Sequence, residues 1–114
     1  MGIRIHIMPS FGRNPLGGNE VSAKTLALVT GGAIRLGEAN CRELADAGYT
    51  IVVHAHRNQA QAQALAKSLG GHAVTADLTN EAAVHAMFER IDSMGHLRVL
   101  VNNAATFEGG PFDT

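Results

Sequence analysis

An α/β domain on a parallel, doubly wound sheet is the fold class that this 114-residue chain predicts, and three observations carry the prediction. From Lys24 onward, short apolar runs alternate with amphipathic stretches in the order βαβαβαβ. The strand-like runs are nearly continuous in apolar residues, as expected for strands covered on both faces. A glycine-rich turn, Thr30-Gly31-Gly32-Ala33-Ile34-Arg35-Leu36-Gly37, joins the first run to the first amphipathic stretch.

Thr25–Thr30 reads as the first strand. The first helix is predicted from about Arg35 to Ala47, with Leu36, Ala39, Leu44 and Ala47 near helical spacing and Gly48 as its stop. Thr50–His54 is the second strand. Asn58 is placed to cap a second helix through about Leu69 that buries Ala62, Leu65, Ala66 and Leu69 and ends at Gly70-Gly71. His72–Ala76 is the third strand. Thr79 or Asn80 caps a third helix to about Ser93, with Val84, Met87, Phe88 and Ile91 inward, and Leu97–Val101 is the fourth strand. Parallel strands with right-handed crossovers give the order 3-2-1-4, half of a doubly wound, Rossmann-type fold. In that arrangement Thr30, His54–Arg57, Asp77 and Asn102–Ala105 all reach the carboxyl edge of the sheet, where ligands bind such folds.

The length allows one domain, and 46% apolar residues give it a core made of Ala, Val, Leu and Ile, since only 4% are aromatic. A net charge of −1 offers no basic field for nucleic acid. The single Cys41 excludes an internal disulfide and fits a reducing, cytoplasmic setting. No apolar run approaches the ~20 residues of a membrane span. Residues 1–23 read apart from residues 24–114. They hold Pro9, Pro15 and four glycines without a sustained period, and are expected to be a flexible extension, although Ile3, Ile5 and Ile7 alternate as a short stray strand would.

A strand, a glycine turn and a helix in that order make a phosphate cradle, because the helix N-terminus presents unpaired N–H groups and partial positive charge. Readers of an unphosphorylated ribose carry Asp or Glu about 20 residues beyond the turn. Here that place holds the basic segment His54-Ala55-His56-Arg57, and Arg57 can fork onto a 2′-phosphate. NADPH is therefore the expected cofactor. With no Cys or carboxylate at ligand spacing, His54 and His56 do not predict a metal site. Asp77, following a strand end, is placed to form a turn through its side chain. Asn102 and Asn103, directly after a buried strand, need bonded amides.

The spacing of Thr30-Gly31…Arg35-Leu36-Gly37 fits T-G-x-x-x-[G or R]-x-G and resembles the short-chain dehydrogenase/reductase family. His54-Ala55-His56-Arg57 resembles the H-x-H-R segment of its pteridine reductases, and Asn102-Asn103-Ala104-Ala105-Thr106-Phe107 their N-N-A-S-x-F segment. The resemblance runs from about Thr25 to Phe107. It implies that Gly31, Arg35, Leu36, Gly37, His56, Arg57, Asn58, Asp77, Leu78, Asn103, Ala104 and Ala105 bind the cofactor. Asp77 would meet the adenine amino group and Leu78 would pack on the ring, while Phe107 would stack on a pterin-like substrate. Ala105 departs from the serine or glycine of the family patterns, and Asn58 from a serine beside the 2′-phosphate.

The family's chemistry also needs a tyrosine acid followed four residues later by lysine. The one tyrosine here is Tyr49, the lysines are Lys24 and Lys67, and eleven residues follow Asn103. The expectation is therefore a cofactor-binding front part of a reductase, a fragment with no catalytic residue of its own and no turnover. Its fourth strand would be an open, association-prone edge. The alternatives are a non-catalytic nucleotide-binding module and a short-chain dehydrogenase acting on an ordinary carbonyl. The complete protein is expected to be a homo-oligomer with no nucleic-acid or membrane partner.

Overall fold

The computed structural model describes residues 4–7, 25–32 and 35–103. Their elements are β1 (Arg4–Ile7), β2 (Thr25–Thr30), α1 (Arg35–Asp46), β3 (Thr50–Ala55), α2 (Gln59–Leu69), β4 (His72–Thr75), α3 (Glu81–Asp92) and β5 (His96–Asn102). They build one sheet in the order β1-β5-β2-β3-β4. The four strands read from the sequence are parallel to their neighbours and stand in the predicted order 3-2-1-4. The chain thus forms an incomplete Rossmann-type sheet.

β1 is the addition. It pairs antiparallel with β5, Ile5 opposite Val101 and Ile7 opposite Val99. This corrects two expectations. Arg4–Ile7 belongs to the sheet, where the sequence reading preferred a flexible extension over a stray strand. The outer edge of β5 is also covered along Val99–Asn102, so it is not the open edge expected there. The rest of the extension lies outside the described residues.

The sheet separates two apolar layers, and each strand feeds both by its two-residue period. Leu26, Leu28, Val52 and Leu100 face α3, where they meet Val84, Met87 and Ile91. Ala27, Val29, Ile51, Val53, Val99 and Val101 face α1 and α2, where they meet Cys41, Ala62, Leu65 and Ala66. Each fully buried Leu or Ile contributes about 1.5–3 kcal/mol of hydrophobic stabilisation.

α2 and α3 bury the predicted residues, Leu69 and Phe88 at the margin. α1 follows the prediction only at Leu44. Leu36, Ala39 and Ala47 are exposed, and its inward face is Gly37, Cys41, Leu44 and Ala45. The stripe is small at Gly37 and Cys41 because the helix there lies close against the turn that precedes it. Asn80 caps α3, its Oδ1 accepting the Ala83 N–H at 3.0 Å. Asn58 occupies the N-cap of α2 without a side-chain cap bond; its carbonyl accepts the Ala62 N–H.

Candidate nucleotide-binding rim

The carboxyl ends of β5, β2, β3 and β4 are stitched together in sheet order by polar groups. Thr30 ends β2 fully buried, where a hydroxyl must find partners. It donates to Asn102 Oδ1 at 3.0 Å, with the Val101 carbonyl at 3.3 Å, and accepts the Asn103 N–H at 3.1 Å. On the other side of β2, Gly31 N–H donates to His54 Nδ1 and Gly32 N–H to the His54 carbonyl, both at 3.1 Å. His54 Nε2 then faces the Ala76 carbonyl beyond β4 at 2.9 Å.

Two glycines make the turn possible. Gly31 has φ +64°, a left-handed conformation that a side chain would strain. Gly37 lies in the first turn of α1, against the start of the same loop. A Cβ there would overlap the Gly31 carbonyl oxygen and come within 2.7 Å of Gly32 Cα. Cys41 packs beneath, its Sγ 3.9 Å from the Gly32 carbonyl oxygen. Burial and the nearby Glu38 carboxylate push its thiol up to about 12, so it stays a neutral packing group.

The loop after β3 is the opposite in character. His56 and Arg57 are exposed, and Asn58 is half-buried. Asp77, on the loop after β4, accepts from the Thr79 hydroxyl at 2.6 Å and the Thr79 N–H at 3.0 Å, both on Oδ1. Those two bonds hold its carboxyl below the usual carboxylate range, and the charges of His56 and Arg57 act in the same direction. The basic loop and Asp77 therefore share one electrostatic neighbourhood. Asp77 makes the turn that the sequence offered as one of its roles. Leu78 is buried under α3, with 7% of it exposed.

Of the remaining sequence candidates, Leu36 stands 55% exposed in the first turn of α1. Arg35 begins that helix, and nothing of its side chain is described. Asn103 accepts from Asn40 Nδ2 at 3.4 Å through Oδ1, while its own Nδ2 is buried with no partner among the described residues. Ala104, Ala105 and Phe107 lie outside the described residues. His54 was missed as a site residue. Its signal was a polar side chain ending an otherwise apolar strand, which burial obliges to find partners. Tyr49 precedes β3 and sits at the opposite end of the sheet from the rim. No group of three or more metal-ligating side chains exists among the described residues, and none of their helices is long and apolar enough to cross a membrane.

The short chain dehydrogenase family model matches residues 25–114, and the chain belongs to that family. Pteridine reductase 1 of Leishmania tarentolae is 34% identical over 110 aligned residues, which cover 75% of this chain and 38% of that protein. The chain thus spans less than half the length of that relative. The short-chain dehydrogenase/reductase homolog YusS of Bacillus subtilis is 34% identical over 94 residues, covering 77% of this chain and 86% of YusS. Among solved structures, the FolM alternative dihydrofolate reductase 1 of Brucella canis, complexed with NADP, superposes with a TM-score of 0.65 at 36% identity. It covers 78% of this chain, which spans 38% of that one.

Proposed function

We propose that this chain is the NADPH-binding part of a short-chain reductase whose substrate is a pterin-like ring. The observation that carries the reading is the pairing of a backbone-built turn at Gly31–Gly32 with an exposed basic loop, His56-Arg57, on the next strand end. The residues fit a dinucleotide. Gly31 and Gly37 leave the turn without side chains that would fend off a pyrophosphate, and Asn103 Nδ2, buried without a partner among the described residues, is a donor that a ligand oxygen would satisfy. The helix N-terminus of α1 and the turn would hold the pyrophosphate. Arg57 and His56 would hold the 2′-phosphate with Asn58 and Arg35, Asp77 would face the adenine, and Asn103 to Ala105 would line the ribose. When bound, the cofactor supplies a hydride.

This chain's own residues bind and orient that group. Arg57 reads phosphate by charge-assisted, forked bonds, where an acidic residue would repel it. Phe107 would present a flat face to a flat substrate, worth on the order of 0.5–1.5 kcal/mol beyond area burial. The substrate class draws support from the H-x-H-R and N-N-A-x-x-F resemblance and from the two pterin- and folate-named relatives. A cytoplasmic, homo-oligomeric complete protein fits the same reading.

A second reading, a nucleotide-binding module that runs no reaction itself, draws on the match to YusS, 86% of which this chain covers. Binding and turnover separate the possibilities. Equilibrium titration is expected to give NADPH at least about tenfold tighter than NADH, a difference of about 1.4 kcal/mol. Equal affinities would remove the 2′-phosphate assignment. NADPH-dependent reduction of a dihydropterin by the complete protein, with KM raised by Phe107→Ala, supports the reductase; tight binding with no turnover supports the module.

A further inference from the structure

His54 holds three contacts that no other described residue of the rim combines. Its ring Nδ1 takes the Gly31 N–H at 3.1 Å, its carbonyl takes the Gly32 N–H at 3.1 Å, and its Nε2 reaches the Ala76 carbonyl at 2.9 Å. The side chain is 2% exposed. The partners dictate the ring's protonation. An amide N–H needs a lone pair at Nδ1, and a carbonyl needs a proton at Nε2, so only the neutral Nε2–H tautomer satisfies both. A second proton would set N–H against N–H at Gly31.

The placement gives this link a role beyond packing. The turn after β2 and the basic loop after β3 must stand at a fixed separation to hold two phosphate groups of one dinucleotide at once. His54 is the residue between them: it grips the turn, and only Ala55 separates it in the chain from His56 and Arg57. We propose that neutral His54 is the positioning residue that sets the glycine turn against the 2′-phosphate loop, and that adding a proton to its ring opens this link and weakens dinucleotide binding. The proposal rests on the reading of the rim as a dinucleotide cradle.

The surroundings favour the neutral ring. Burial lowers its affinity for a proton most, and His56 acts in the same direction, against the hydrogen bond to Ala76. Of the elements packed around it, β2 has no ionisable side chain and β4 carries only His72, at its far end. The next loop carries Asp77, and its own loop carries His56 and Arg57. The ionisable residues of α3, namely Glu81, His85, Glu89, Arg90 and Asp92, are exposed.

Two conservative variants divide the ring's functions. His54→Asn keeps an oxygen near the place of Nδ1, so it still accepts from Gly31, but it loses the reach to Ala76 and has no proton to gain. His54→Gln reaches Ala76 but offers nothing near Nδ1. In the full chain, NADPH and NADH titrations between about pH 8 and 5 should show wild-type affinity falling with acid for both cofactors. His54→Asn should bind a few-fold more weakly than wild type near pH 7.5, with a flatter acid limb, and at least about tenfold more tightly than His54→Gln. Equal losses in the two variants, or an unchanged acid limb in His54→Asn, would overturn the proposal. Imidazole nitrogen shifts of the wild-type protein give a reading that needs neither variant nor cofactor: Nδ1 bare and Nε2 protonated near pH 7.5 is expected. The opposite tautomer would overturn the link itself. A wild type with the expected tautomer that binds neither cofactor would instead overturn the cradle reading, and with it the binding half of the proposal.

Discussion

The turn Gly31–Gly32 and the loop His56–Arg57 lie on the same rim, on the ends of adjacent strands, and are held in opposite ways. The turn is fixed from within: His54 takes both its amide protons, Gly37 lies against its backbone and Cys41 packs beneath it. The loop is exposed and aims its charges at solvent. On the proposed reading, shape is invested in buried, mutually bonded groups, whereas selectivity is left to exposed side chains. Changes to the turn should therefore cost stability and binding together, and changes to the loop should cost binding alone.

The largest effect is expected from Gly37→Ala. Its methyl would overlap the Gly31 carbonyl oxygen, so destabilisation of about 3 kcal/mol is expected, with dinucleotide binding lost alongside. Chemical denaturation and cofactor titration measure the two losses, and a variant that kept either property would break the tie between them. Thr30→Val comes next. It strips Asn102 Oδ1 and the Asn103 N–H of their shared hydroxyl, at about 1–3 kcal/mol, and Thr30→Ser should recover most of that loss in the same denaturation assay.

Acid gives a third, smaller handle. His54 takes up a proton less readily in the folded chain than its ordinary value of 6.5, so the unfolded chain binds the proton first. Its contribution to stability is therefore complete above about pH 6.5 and declines as the pH falls below that, by at most about 1.4 kcal/mol per unit. Denaturation midpoints across that range should show the decline in wild type and lose it in His54→Asn. Asn80→Ala, at a cap far from either loop, should cost about 1 kcal/mol and leave cofactor affinity alone. An affinity change there would mean that stability and binding are not separable in this sheet.

The sequence made the central sheet legible because β2, β3 and β5 are apolar on both faces, a pattern that few other structures produce. It also placed the rim, since Thr30, His54 and Asn102 stand at the carboxyl ends of strands and Asp77 lies just beyond one. Three features were harder to read. The face of α1 is set by how closely Gly37 and Cys41 approach the turn, and a hydropathy pattern gives weight to Leu36 instead. β1 is four residues long, and its place depends on a partner strand some ninety residues away. The role of His54 depends on which backbone groups surround its ring, which no spacing encodes.

The central claim is that this rim selects a phosphorylated dinucleotide through a loop the fold does not need. Binding of NADPH and NADH to wild type and Arg57→Ala, with melting followed on the same samples, tests it most directly. The account predicts a loss of roughly 1.5–3 kcal/mol for NADPH, about 10- to 150-fold, with NADH affinity and melting temperature almost unchanged. Equal losses for both cofactors, or a loss accompanied by a lower melting temperature, would contradict it.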